Sequence, residues 1–220
     1  MKHLLLSAIL LAPLALVPPT AQAQEFKPLF KDDLSNATFN EGVWSVDKDG
    51  VITATKDQII WTQEDYENFV LKLEFKNGEG TNSGVFVHAS DTKKWVTDSV
   101  EIQLADDFSE KWSKKPRSWQ CAAIFGRQGA FEKAVKKPGE WNQMVIVVSG
   151  PIITVHLNGQ RVNAVDLTDF KDAKKNPDGT TAPPWLKKPL ATLPRKGKIG
   201  FQGKHGGAPI YLRNVQVKKL

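Results

Sequence analysis

An all-β fold, an antiparallel two-sheet β-sandwich, is what this sequence predicts, and three observations carry the prediction. Apolar and polar residues alternate with period two in run after run, as half-buried strands require. Turn-forming residues separate the runs. No long stretch beyond the N-terminus repeats apolar residues at helical spacing, so nothing supplies the crossover helices of a parallel sheet.

In order along the chain, Phe69, Leu71, Leu73 and Phe75 share one face while Val70, Lys72 and Glu74 share the other. Val85, Val87 and Ala89 oppose Phe86 and His88 in the next run. Similar runs cover 100–104, 144–148, 152–157, 161–165, 199–202 and 210–217. Asn77-Gly78, Asn82-Ser83-Gly84, Ser149-Gly150-Pro151, Asn158-Gly159 and Gly206-Gly207 mark connections. Asn158-Gly159 is the strongest hairpin signal, because both central positions of such a turn need positive φ.

The first residues read as an export signal: Lys2 and His3, an apolar run from Leu4 to Val17, and Ala21-Gln22-Ala23. The run is short for a membrane span and is broken by Pro13, so 1–23 is expected to be removed. That leaves 24–220 as a single domain, secreted and periplasmic, with no later membrane span. Cys121 is the one cysteine, so the fold is expected to stand without an internal disulfide, with that thiol a small buried hydrophobe. A formal charge of +6 invites a nucleic-acid reading. However, the stretch from Lys171 to Lys198 holds eight Lys or Arg against two Asp, which is net +6 by itself. A basic, Pro-containing insertion at about 167–196, solvated and loop-like, accounts for the excess, and nucleic acid is not expected as a partner.

Chemistry-bearing residues concentrate on a few strands. In Val100 to Leu104 the apolar residues face one way, so Glu101 and Gln103 lie together on the other, roughly 7 Å apart. That is either a solvent-washed outer face or a concave face where a carboxylate and an amide grip sugar hydroxyls. Glu74 and His88 stand at comparable phases, and Gln202 lies three residues before His205, an imidazole flanked by Gly203, Gly206 and Gly207. His156 reads as simply exposed. There are seven tryptophans. Trp61, Trp95, Trp112, Trp119 and Trp185 lie in or near apparent loops, where sugar rings could stack, whereas Trp44 and Trp141 read as core. No HExxH, paired cysteines or EF-hand loop is present, so the motifs point to no definite cofactor, and a divalent cation held by scattered carboxylates stays open.

An ordered series of short motifs adds to this reading: Phe26-Lys27-Pro28-Leu29-Phe30, Gly42-Val43-Trp44, Asp49-Gly50-Val51-Ile52, Phe69 to Phe75 with Glu74, and Asn82-Ser83-Gly84-Val85-Phe86. It continues through Glu101-Ile102-Gln103, Gly139-Glu140-Trp141-Asn142, Leu157-Asn158-Gly159, Gly200-Phe201-Gln202 with His205-Gly206, and Arg213-Asn214-Val215. In these the chain resembles the 3-keto-disaccharide hydrolase family, exported bacterial proteins with a concanavalin-like jelly-roll fold. It departs from the family at His88, where an arginine is frequent, and at Ala122-Ala123-Ile124-Phe125, where a Gly-containing segment ending in Tyr is usual.

The resemblance implies a small sugar or oligosaccharide substrate and a chemistry that can be stated. A ketone at C3 of a glycoside acidifies the C2 hydrogen, a base removes it, the C1 substituent leaves by β-elimination, and water adds back. Glu101 and His205 are the expected acid and base. Asn82, His88, Gln103, Gln202, Glu74 and Trp119 are the expected substrate contacts, with Glu74 an alternative cation ligand. Two rivals remain. A direct glycosidase would need paired carboxylates, and Glu101-Ile102-Gln103-Leu104-Ala105-Asp106 has an amide at the middle position. A non-catalytic sugar-binding module would use the same face without acid–base residues.

Overall fold

The computed structural model describes residues 25–220, so the export segment expected at 1–23 lies outside the described residues. Thirteen strands carry the fold. They are β1 (Lys27–Pro28), β2 (Ala37–Thr38), β3 (Trp44–Val46), β4 (Ile52–Ala54), β5 (Ile59–Thr62), β6 (Phe69–Asn77), β7 (Asn82–Ala89), β8 (Val100–Ala105), β9 (Trp141–Ser149), β10 (Ile152–Leu157), β11 (Gln160–Asp166), β12 (Lys198–Gln202) and β13 (Ile210–Lys219). Two four-residue helices, α1 (Trp95–Asp98) and α2 (Glu110–Ser113), flank β8.

All the pairings are antiparallel. One sheet runs β11-β10-β9-β6-β13-β4-β3 with β1 added to β13, and the second runs β2-β5-β12-β7-β8. The two pack face to face as a jelly-roll sandwich. Phe69, Leu71, Leu73 and Phe75 of the large sheet enter the core, as do Val85, Val87, Ile102, Leu104, Ile199 and Phe201 of the small one. Each such side chain contributes roughly 1.5–3 kcal/mol by leaving water, which is how the fold stands without a disulfide. Cys121 is buried, and desolvation pushes its thiol up, so it is a packing group.

The strands expected from period two all form, and the 152–157 strand is separated from the next by Asn158 and Gly159 at φ 51° and 83°. The short strands β1 to β5 were not read from the sequence, because two to four residues are too few to show a period.

Three expectations are corrected. His88 does not share a face with Phe86. Along β12 the register passes from Lys198↔Ala89 to Gly200↔Phe86, so β7 carries one extra residue, a β-bulge, with His88 at φ 54°. The bulge turns the imidazole into the core, edge-on to Phe69, where its Nε2 donates to the Glu67 carbonyl at 3.0 Å. Burial lowers its proton affinity. Glu74 lies on the outer face of the other sheet, where it accepts from Arg213 Nε at 2.6 Å. Trp141 is not core but sits on that same outer face, under the Arg213 guanidinium at 4.0 Å. Period two tells which side of its own strand a residue takes; it does not say which sheet the strand joins.

The basic stretch is also more than a solvated loop. Between β11 and β12 it buries Leu167, Phe170, Ala182, Leu190 and Leu193, while its lysines face water.

Candidate active site

The outer face of the small sheet is the floor of a cavity of about 270 Å³. Its layout follows from the strand registers. Trp61 opposes Gly200, Gly200 opposes Phe86, and Phe86 opposes Glu101, forming one row across β5, β12, β7 and β8. The next row runs Ile59, Gln202, Gly84, Gln103, and Asn82 stands one step further along β7, bridged to His205. Two glycines make the floor possible. A Cβ on Gly200 would stand 2.3 Å from the Trp61 ring, which folds over it towards Phe86. A Cβ on Gly84 would stand 2.4 Å from Glu101 Oε1, so the carboxyl leans across that glycine from its own row towards the amides.

The segment Ala122 to Phe125 continues the sheet beyond β8, with Phe125 N–H donating to the Glu101 carbonyl at 2.9 Å. Glu101 therefore lies between Phe86 and Phe125. Its carboxyl makes no hydrogen bond or ion pair among the described residues, and desolvation raises it to about 8. At neutral pH it holds its proton.

His205 is positioned by backbone. Gly203 N–H donates to the Gln58 carbonyl and Lys204 N–H to the Lys56 carbonyl, an approach so close that a Cβ on Gly203 would stand 2.4 Å from Lys56 O. The imidazole Nδ1 then meets Asp57 Oδ2 at 2.5 Å, and Gln202 Nε2 donates to Asp57 Oδ1 at 3.4 Å. With Nδ1 engaged by a carboxylate, Nε2 is the nitrogen left for proton transfer. Gln103 Nε2 donates to Asn82 Oδ1 at 2.8 Å while Gln103 Oε1 is buried without a partner among the described residues.

Aromatic residues wall the cavity. Trp95 of α1 packs on Phe86 with centroids 4.8 Å apart. Trp119 lies between Phe125 at 5.2 Å and Trp185 of the basic insertion at 5.7 Å. One anchor of the insertion is a side chain from outside it. Buried Arg127 donates through Nη1 to the carbonyls of Asp172 and Ala173 and through Nη2 to those of Leu186 and Lys188. Lys188 also pairs with Asp98 at the end of α1. Replacing Arg127 with leucine is expected to cost about 2–4 kcal/mol and to open the segment between Lys171 and Lys188 to trypsin. Thermal unfolding and timed digestion measure both.

Of the residues singled out in the sequence, Glu101, His205, Asn82, Gln103, Trp119 and Gln202 line this one cavity, and Glu74 and His88 do not. Asp57 and Arg127 were missed. Asp57 sits in a turn with no motif around it, and Arg127 is recognisable only once its four carbonyl partners are in place. Among the described residues no group of three or more His, Cys, Asp or Glu is arranged to hold a metal ion.

A pyranose has an apolar face and a rim of hydroxyls, and aromatic walls beside amides match that surface; fold and cavity together define a β-sandwich with a concave aromatic- and amide-lined site on its smaller sheet. The chain belongs to the 3-keto-alpha-glucoside-1,2-lyase-like family, whose model matches residues 25–218. A 3-keto-disaccharide hydrolase of Bacteroides thetaiotaomicron is 27% identical over 174 residues, 70% of this chain; the chain spans 59% of that relative's length. A crystal structure from Parabacteroides distasonis, described provisionally as a glycosyl hydrolase, superposes with a TM-score of 0.87 at 51% identity over 89% of this chain and 100% of that one. A galectin-like Bacillus subtilis protein, 15% identical over 90% of this chain and 96% of its own, shares the fold at a TM-score of 0.52.

Proposed function

We propose that this protein cleaves the glycosidic bond of 3-keto-glycosides by elimination across C1 and C2 followed by hydration. The observation that carries the proposal is the pairing, in one cavity, of a neutral carboxyl at Glu101 with an imidazole–carboxylate pair at His205 and Asp57. His205 Nε2 takes the C2 proton. The electron pair left behind forms the enolate of the C3 ketone, which collapses to a C1=C2 double bond as the C1–O bond breaks. Glu101 gives its proton to the departing oxygen. Water then adds at C1, surrendering a proton to Glu101, and C2 recovers its proton from His205. Asn82, whose Nδ2 makes no hydrogen bond among the described residues, and the Gln103 amide are in place to hold the C3 oxygen and the ring hydroxyls.

Direct hydrolysis needs a second carboxyl flanking the bond; here the position two residues along β8 is an amide, and Asp57 is occupied by His205. A pure binding module has no use for a carboxylic acid held neutral between two phenyl rings. The export segment, with a periplasmic site of action, belongs to the same proposal. The test is incubation of the mature protein with a 3-keto-disaccharide and its unoxidised parent, with and without chelator, following release of free sugar. Cleavage of the keto form alone, insensitive to chelator, is the expected result. Cleavage of the parent, or binding of both with cleavage of neither, would overturn the proposal.

A further inference from the structure

The floor of the cavity is divided. On one side of Glu101 lie Gln202, Gly84, Gln103, Asn82 and His205, a surface made of amides and an imidazole. On its own row and above it lie the rings of Phe86, Phe125, Trp95, Trp119 and Trp185, with Leu186 beside them. The carboxyl leans over Gly84 at the boundary. A group that protonates the departing oxygen must stand between the sugar being cleaved and what leaves. Given the reaction proposed above, on which this inference rests, the ketone-bearing ring must lie on the amide side, because the base is there. The leaving group must then lie across Glu101.

We infer that the site beyond Glu101 takes an apolar, aromatic aglycone in preference to a second sugar ring. Three observations favour that occupant. The leaving-group side is mostly apolar, and its polar side chains are already engaged: Lys188 pairs with Asp98, both Nη groups of Arg127 donate to main-chain carbonyls, and the Thr97 and Ser99 hydroxyls donate to Asp98 and to the Trp95 carbonyl. A second pyranose brings several hydroxyls that would lose water there without finding partners. The rings are also set edge-on and tilted to one another, Trp119 to Trp185 at 78° and Phe86 to Trp95 at 63°, leaving ring faces and edges to a flat guest. Trp185, at 44% exposure among the more exposed large apolar residues of the described chain, is held over the mouth by the Arg127 anchor.

The test compares the 3-keto forms of methyl and benzyl glucoside. Their leaving alkoxides are of similar basicity, so a difference in kcat/KM reports the aromatic ring and not the ease of bond breaking. The benzyl compound is expected to be favoured roughly tenfold or more, with the gain in KM. Trp185→Ala is expected to bring the ratio towards one; the side chain is exposed enough for the variant to fold, which circular dichroism checks. A ratio near one in the wild type, with both compounds cleaved, overturns the inference and leaves the proposed reaction standing. A lower KM for a 3-keto-disaccharide than for the benzyl compound overturns it in favour of a second sugar. Cleavage of none of the three removes the reaction and the inference together.

Discussion

For the proposed reaction, Glu101→Gln is expected to lower kcat/KM towards 3-keto-glycosides by roughly 10²–10⁴-fold at neutral pH, the range lost with a general acid, without unfolding the protein. The amide fits the space over Gly84 and keeps a hydrogen-bond donor there, but it has no proton to transfer. Two pH effects accompany it. In the wild type the acid is competent only while protonated, so activity falls as pH rises through about 8, and that alkaline limb is absent from the residual activity of the variant. Stability follows the same titration. A carboxyl whose folded value is raised from 4.5 to about 8 by desolvation stabilises the folded state fully below about 4.5, and this contribution is lost as pH rises through about 8. The wild type should therefore melt at falling temperature over that interval, while Glu101→Gln declines less and becomes the more stable of the two above pH 8. Thermal unfolding between pH 5 and 9 checks this. A variant that melts in parallel with the wild type would place the buried proton elsewhere.

His205→Ala is the second large effect, with kcat reduced by roughly 10²–10⁴-fold and KM little changed, since the imidazole acts on one proton and does not grip the ring. Asp57→Asn gives a smaller loss, roughly tenfold to a hundredfold, because it removes the partner that fixes the ring and steadies its charged form while leaving Nε2 in place. Hydrogen exchange separates the two principal roles. In heavy water the wild type and Glu101→Gln are expected to exchange the C2 hydrogen of a 3-keto-glycoside into solvent, while His205→Ala is not. Exchange that survives the loss of His205 would mean that another group is the base.

How much of this was legible beforehand differs by level. The two-sheet class was readable because Phe69 to Phe75 and Val100 to Leu104 are long enough to display their period, and because Asn158-Gly159 admits one turn. Glu101 and Gln103 were readable as a polar pair in mid-strand for the same reason. His88 was not, since a bulge is a change of register between strands, and its cause, a single extra residue in β7 opposite β12, is invisible until the partner is known. Glu74 shares the alternation of Glu101 but belongs to the other sheet, and pairing order is a long-range property. Asp57 could be found only through His205, 148 residues away. The basic insertion reads as a solvated loop from its charge, whereas its position is decided by Leu190, Leu193 and the carbonyls that Arg127 engages.

That last arrangement bears on how the protein can change. Arg127 engages the main chain of the insertion, not its side chains, so the grip is indifferent to what residues 185–188 are. Substitutions that reshape this wall can accumulate without releasing it, and the acid and base on the opposite floor need not move. Under the proposed reaction, selectivity for the departing group and the machinery that breaks the bond would thus be separately inheritable, and a laboratory library confined to this one stretch is expected to yield new preferences on an unaltered catalyst.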